Sequence, residues 1–142
     1  MKIIVVGTGF VGLPHAAVLS EYGHEVWAYD IDENRINAYK TGKREEIERF
    51  VNEPGLTAAI EETKDQYLHF TTDITDLAEG TDIFFFCLNT PPMRDGSTDL
   101  SYYLNAAHTV AGLFWQSAKI KSASSSSTKA PCRLARLAFC RM

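Results

Sequence analysis

Lys2-Ile3-Ile4-Val5-Val6-Gly7-Thr8-Gly9-Phe10-Val11-Gly12-Leu13 opens the chain, and its reading decides the fold. The run 3–6 is β-branched and apolar at consecutive positions, which suits a strand buried on both faces of a parallel sheet. The turn that follows is a G-x-G-x-x-G string, and a helical stretch runs from it to about Tyr22. Pro14 falls in the first turn of that helix, where backbone N–H groups lack intrahelical partners anyway. Gly23 is a natural stop.

Working outward, Glu25 to Tyr29 is a second strand, and Asp30 ends it. A helix is expected from near Asp32 to about Lys40, then helical pieces over 44–64 broken at Glu53-Pro54-Gly55. A short strand follows near Leu68 to Thr71, and a brief helix around Thr75 to Glu79. Asp82 to Leu88 is the most apolar run and reads as a central strand. Pro91 and Pro92 end it because proline cannot donate to a sheet. Leu100, Tyr103, Leu104, Ala107 and Val110 recur at helical spacing within 99–114. Strands alternating with helices imply an α/β, Rossmann-type doubly wound parallel sheet with right-handed crossovers. About four strands are countable, so the sheet reads as incomplete.

Each glycine of the turn has a physical task in a dinucleotide site. Gly7 permits the tight turn off the strand, Gly9 lets backbone approach a pyrophosphate, and Gly12 lets the helix pack on the strand. The helix start offers free N–H groups and a partial positive charge. Asp30 lies about twenty residues beyond the turn, the position from which a carboxylate accepts ribose hydroxyls and repels the 2′-phosphate of NADP. NAD is therefore the expected cofactor. Arg35 could pair with a phosphate or lie along the ribose.

Of the 142 residues, 45% are apolar and 23% charged, ordinary for a globular domain. The net charge of −4 argues against nucleic acid and anionic membranes as partners. No apolar run reads as a signal peptide or approaches the roughly 18 residues of a membrane span, so the expected location is cytoplasmic. Cys87, Cys132 and Cys140 lack metal-ligand spacing, and the four histidines are unclustered, so no metal site is expected. His15 and His108 read as packing or surface residues of helices, and Cys87 as a small buried hydrophobe.

Several further stretches extend the pattern: Gly23-His24-Glu25-Val26, Asp30-Ile31-Asp32, Glu53-Pro54-Gly55-Leu56, Phe70-Thr71-Thr72-Asp73, Asn89-Thr90-Pro91-Pro92 and Asp95 to Tyr102. With the glycine turn, they resemble the N-terminal NAD-binding domain of the UDP-glucose/GDP-mannose dehydrogenase family over residues 1 to about 114. The resemblance is nearest to the UDP-glucose 6-dehydrogenase type, in which the C6 hydroxyl of a nucleotide sugar is oxidised with NAD as hydride acceptor. It implies a nucleotide-sugar substrate, and homo-oligomers for full-length relatives. It places Gly7, Gly9, Phe10, Val11, Gly12, Asp30, Arg35 and Thr90 at the cofactor. Thr90 could also be a simple turn residue, and Glu53 to Leu56 a joint between helices. A non-catalytic NAD-binding module and a fragment of another Rossmann dehydrogenase are the alternatives. Asn89-Thr90-Pro91-Pro92 followed by Asp95-Gly96 weighs against the second.

The expected domain is 1–116. Beyond it, Ser122 and Ser124 to Ser127 precede Arg133, Arg136 and Arg141 without periodicity, so 117–142 reads as an irregular, non-native or disordered tail. Residues Ser122 to Arg136 can be encoded so that a reading one base out of register resembles the family's fifth strand and its Lys-Ser-Thr-x-Pro motif. That points to a frameshift between about Phe114 and Ser122 and to a truncated chain that lacks turnover, with no catalytic residue of its own. It also leaves the 83–88 strand as an open apolar edge prone to self-association.

Overall fold

The computed structural model describes residues 1–75, 77–124 and 136–139. The elements run β1 (Lys2–Val6), α1 (Gly12–Glu21), β2 (Glu25–Tyr29), α2 (Glu33–Thr41), α3 (Arg44–Glu48), α4 (Leu56–Thr63), β3 (Leu68–Thr71), β4 (Ile83–Phe86), α5 (Ser101–Ser124) and β5 (Arg136–Phe139). The strands form one sheet in the order β3-β2-β1-β4-β5, with every pair parallel.

β1 lies at the centre because its side chains are apolar on both faces. Ile3 and Val5 enter one core layer with Leu13, Ala16 and Ala17 of α1 and Ile36 and Tyr39 of α2. Ile4 and Val6 enter the other with Phe84, Phe86, Ile74 and Val110 of α5. The sheet is thus covered on both faces, as parallel sheets require. The chain winds outward from β1 through β2 to β3, then returns to pair β4 with the opposite side of β1. The order reverses there, and a crevice opens beyond the carboxyl ends of the strands at such a reversal.

The four strands read from the sequence are all present, and three local expectations change. The helix expected around 75–79 is a turn, in which the N–H groups of Leu77 and Ala78 both reach the Ile74 carbonyl at 3.1 and 3.3 Å. A second turn follows, closed by the Thr81 N–H on the Ala78 carbonyl at 3.4 Å, and Gly80 at φ +76° keeps the two from joining into a helix. α5 passes residue 116, where the sequence reading closed the domain, and continues to Ser124. No proline interrupts the chain between Pro92 and Pro131, and serine within a helix costs only a fraction of a kcal/mol, under about 0.7.

The third change concerns the edge of the sheet. The open β4 edge is covered: Ile83, Phe84, Phe85 and Phe86 are in register with Arg136, Leu137, Ala138 and Phe139. A row of unpaired N–H and C=O groups is a template for a parallel partner, and β5 supplies it. Ser125 to Ser127, Cys132 and Cys140 lie outside the described residues, so the irregular reading of the tail bears on no described element there.

Candidate functional site

The turn between β1 and α1 forms the floor of the crevice. The Gly7 N–H donates to the Tyr29 carbonyl at 2.8 Å, tying the turn to the end of β2. Gly7 has φ +94°, and a Cβ there would collide with the Cys87 carbonyl. A Cβ on Gly12 would overlap the Gly7 carbonyl oxygen. These two glycines are required by the fold itself. Gly9 differs: a Cβ there would meet nothing closer than an Arg35 guanidinium nitrogen at 4.0 Å. Its bareness leaves space in the crevice and relieves no contact inside the protein. α1 begins without a capping side chain. The Leu13 N–H donates to the Gly9 carbonyl at 3.1 Å and Pro14 has no N–H, so the backbone N–H groups at the turn into the helix, Val11 and Gly12, are the ones offered to whatever occupies that space.

Asp30 stands at the end of β2, and only 8% of its surface is exposed. Its Oδ2 accepts the Thr8 N–H at 2.8 Å, the Thr8 hydroxyl at 2.9 Å and an Arg35 guanidinium N–H at 3.1 Å. Its Oδ1 accepts the Asp32 N–H at 3.1 Å. Burial pushes the carboxyl up, but the Thr8 and Asp32 N–H bonds, the Thr8 hydroxyl and the Arg35 charge together outweigh it and hold the group below its ordinary range. Asp30 is thus an anion near neutral pH despite its burial.

Two residues of α2 brace this pair. The Asp32 side chain caps the helix by accepting from the N–H groups of Asn34 and Arg35, which fixes where Arg35 leaves the backbone. Arg35 lies over the Phe50 ring at 5.8 Å from its centroid, and its Nε is buried without a hydrogen-bond partner among the described residues. The Tyr39 hydroxyl donates to the Thr8 carbonyl at 3.0 Å. Burial drives its ionisation well above the ordinary value, so it remains a donor.

The crevice, about 700 Å³, brings together Gly7, Gly9, Phe10, Val11, Asp30, Arg35 and Thr90, seven of the eight residues read from the sequence. Gly12 sits beneath it, packed on Gly7. Thr90 is on the loop after β4 and faces the crevice from the side opposite Asp30's strand. Glu53-Pro54-Gly55-Leu56 is not among its walls; Gly55, at φ +84°, starts α4, so this stretch is a joint between helices. Sequence reasoning missed Ile31, Phe50, Leu88 and Tyr102 as walls. Ile31 could have been found, because it follows Asp30 at a strand end; Phe50 is delivered by the path of α3 and carries no local signal. Cys87, expected as a buried hydrophobe, is half-buried at the end of β4 and also lines the crevice. A second cavity of about 240 Å³ adjoins the first, between Tyr29, Asp30 and Ile31 on one side and Tyr102, Asn105, Ala106 and Thr109 of α5 on the other.

Comparison with known proteins identifies this arrangement. The model of the UDP-glucose/GDP-mannose dehydrogenase family, NAD binding domain, matches residues 1–134. The chain belongs to this family. Its cofactor is NAD. The chain is 38% identical over 110 residues to the UDP-glucose 6-dehydrogenase TuaD of Bacillus subtilis, covering 77% of this chain and 23% of that protein. It is 36% identical over 113 residues to a UDP-N-acetyl-D-mannosamine dehydrogenase of Methanococcus vannielii, covering 77% of this chain and 25% of the other. Among solved structures, a ternary complex of GDP-mannose dehydrogenase from Pseudomonas aeruginosa superposes with a TM-score of 0.69 at 32% identity, over 78% of this chain and 24% of that one. The chain therefore spans about a quarter of the length of these family members. The match over 1–134 reaches past the limit near 114 drawn from the motifs.

NAD suits the residues present. The crevice has bare backbone at Gly9, an uncapped helix start, a buried carboxylate and a guanidinium on its wall, the set that a diphosphate joined to a ribose would use. Among the described residues no helix is long and apolar enough to cross a membrane, and no group of three His, Cys, Asp or Glu could hold a metal.

Proposed function

We propose that this chain is the cofactor-binding part of a nucleotide-sugar 6-dehydrogenase acting on UDP-glucose, and that alone it binds NAD without turning over the sugar. The observation that carries the reading is the anionic Asp30 beside the open backbone of Gly9, at the point where the strand order reverses. Gly7, Gly9, Phe10, Val11 and Gly12 would hold the diphosphate against the start of α1. Asp30 would take the adenosine ribose, and Arg35, held to Asp30 by its guanidinium, would flank it. The second cavity, walled by Ile31 and α5, suits the flat apolar adenine ring. Val11 and Thr90 then face the nicotinamide end.

Bound NAD supplies a hydride acceptor; the residues described here bind it, orient it and exclude water around the ribose. UDP-glucose as the sugar draws support from the similarity to the Bacillus protein, while relatives named for UDP-N-acetyl-D-mannosamine are nearly as similar. Lack of turnover by this chain alone draws support from its coverage of a quarter of those relatives. The net charge of −4 favours a small-molecule ligand over nucleic acid, and a cytoplasmic location is part of the same proposal.

Calorimetric titration tests the assignment. NAD should bind more tightly than NADP, and Asp30→Ala should weaken NAD by about tenfold or more, the loss of a hydrogen bond to a charged group worth about 1.5–3 kcal/mol. NAD binding indifferent to the Asp30 change would overturn it.

A further inference from the structure

Thr8 is the variable position inside the glycine string, yet it is wholly buried. It does not line the crevice. Its backbone N–H and its hydroxyl both point at one oxygen, Oδ2 of Asp30, at 2.8 and 2.9 Å. Arg35 is the third donor to that oxygen. A carboxylate has about four acceptor positions over its two oxygens. Three donors on Oδ2 fill that oxygen, whereas Oδ1 receives the Asp32 N–H alone. The remaining acceptor capacity of Asp30 is therefore on Oδ1. The Thr8 carbonyl is in turn held by the Tyr39 hydroxyl at 3.0 Å, so the residue that fixes the carboxylate is itself tied to α2.

We propose that Thr8 is a positioning residue for the adenosine ribose: its hydroxyl locks Oδ2 of Asp30 so that Oδ1 is the oxygen that accepts from a ribose hydroxyl. The inference rests on the reading of Asp30 as the ribose ligand and adds a residue that never touches the cofactor. Without the hydroxyl, the carboxylate loses one of the donors that stop it turning about its Cβ–Cγ bond. The ribose then meets a group whose orientation must be fixed at the moment of binding, and the cost appears only for ligands that carry ribose hydroxyls.

The test compares ADP with 2′,3′-dideoxy-ADP by calorimetry on the full chain, for wild type, Thr8→Val, Thr8→Ala and Thr8→Ser, each checked for folding by a melting curve. Wild type should prefer ADP by about tenfold or more, one charge-assisted hydrogen bond expressed as affinity. Thr8→Val, which removes the hydroxyl at near-constant shape, and the smaller Thr8→Ala should each cut that preference several-fold. Thr8→Ser should keep it. If the hydroxyl-free variants weaken both nucleotides equally, Thr8 is only structural and the inference falls while the NAD assignment stands. If wild type itself ignores the missing hydroxyls, the reading of Asp30 fails and takes this inference with it.

Discussion

Glycines 9 and 12 share one motif and answer to different constraints. The fold needs Gly12, since a Cβ would overlap the Gly7 carbonyl oxygen, an atom of the backbone that cannot move aside. Gly12→Ala should destabilise the domain by at least the 1–3 kcal/mol typical of overpacking and lower its melting midpoint. Gly9 has no such neighbour and does not adopt the left-handed backbone. Gly9→Ala should leave the melting midpoint unchanged or raise it by the equivalent of about 0.4–1 kcal/mol, through a stiffer unfolded chain. NAD affinity should fall by about tenfold or more, because the new methyl occupies the space of the diphosphate. Melting curves and titrations on the two variants check both halves, and a Gly9→Ala protein with full affinity would contradict this division. The glycine turn and Asp30 were legible from spacing because a glycine turn and an acidic strand end are local chemistry, whereas Phe10, Val11 and Thr90 were placed by the family resemblance and the structure sets them on the same crevice. Thr8 was not legible, since its role depends on Asp30 approaching across the sheet.

At the scale of elements, the sequence was readable where hydrophobicity changed period. β2 and β3 fall at the residues expected from their β-branched and aromatic runs. β5 escaped notice because Leu137 and Ala138 favour helix as readily as strand and the run is four residues long. What decides it is the neighbour: β4 presents an edge, and pairing resolves it. The consequence is open to test by proline. In a parallel edge strand alternate N–H groups face the partner, so of Leu137→Pro and Ala138→Pro one should break the β4 ladder and the other should not. The breaking variant should self-associate in sedimentation at concentrations where wild type and the other variant do not. Equal behaviour of all three would mean that β5 does not protect the edge.

Over the whole molecule, a half-buried histidine and a buried carboxylate make stability depend on pH with the same sign. His15 on α1 lies edge-on to Phe85 with ring centroids 4.5 Å apart, and burial lowers its pKa. Its Nε2 is buried without a partner among the described residues, so the folded protein resists protonating it. The unfolded chain takes up that proton as pH falls through about 6.5; stability from the neutral ring is present above that value and is lost below it, down to the folded pKa. Asp30 acts lower on the scale. Its folded pKa lies below the ordinary 3.8, so its contribution is complete above that value and is lost as pH falls further. The melting midpoint should therefore decline in two stages on acidification, the first beginning near pH 6.5. His15→Phe keeps a ring against Phe85 and removes the first stage only; Asp30→Asn lowers the midpoint at neutral pH, and its deficit should shrink below about pH 4 as wild type loses its own charge. The two stages also separate fold from function, because His15 is absent from the crevice walls while Asp30 lines them. NAD affinity of the His15→Phe protein should match wild type across the first stage. An affinity that tracked the His15 titration would mean that the core beneath α1 and the glycine turn move together.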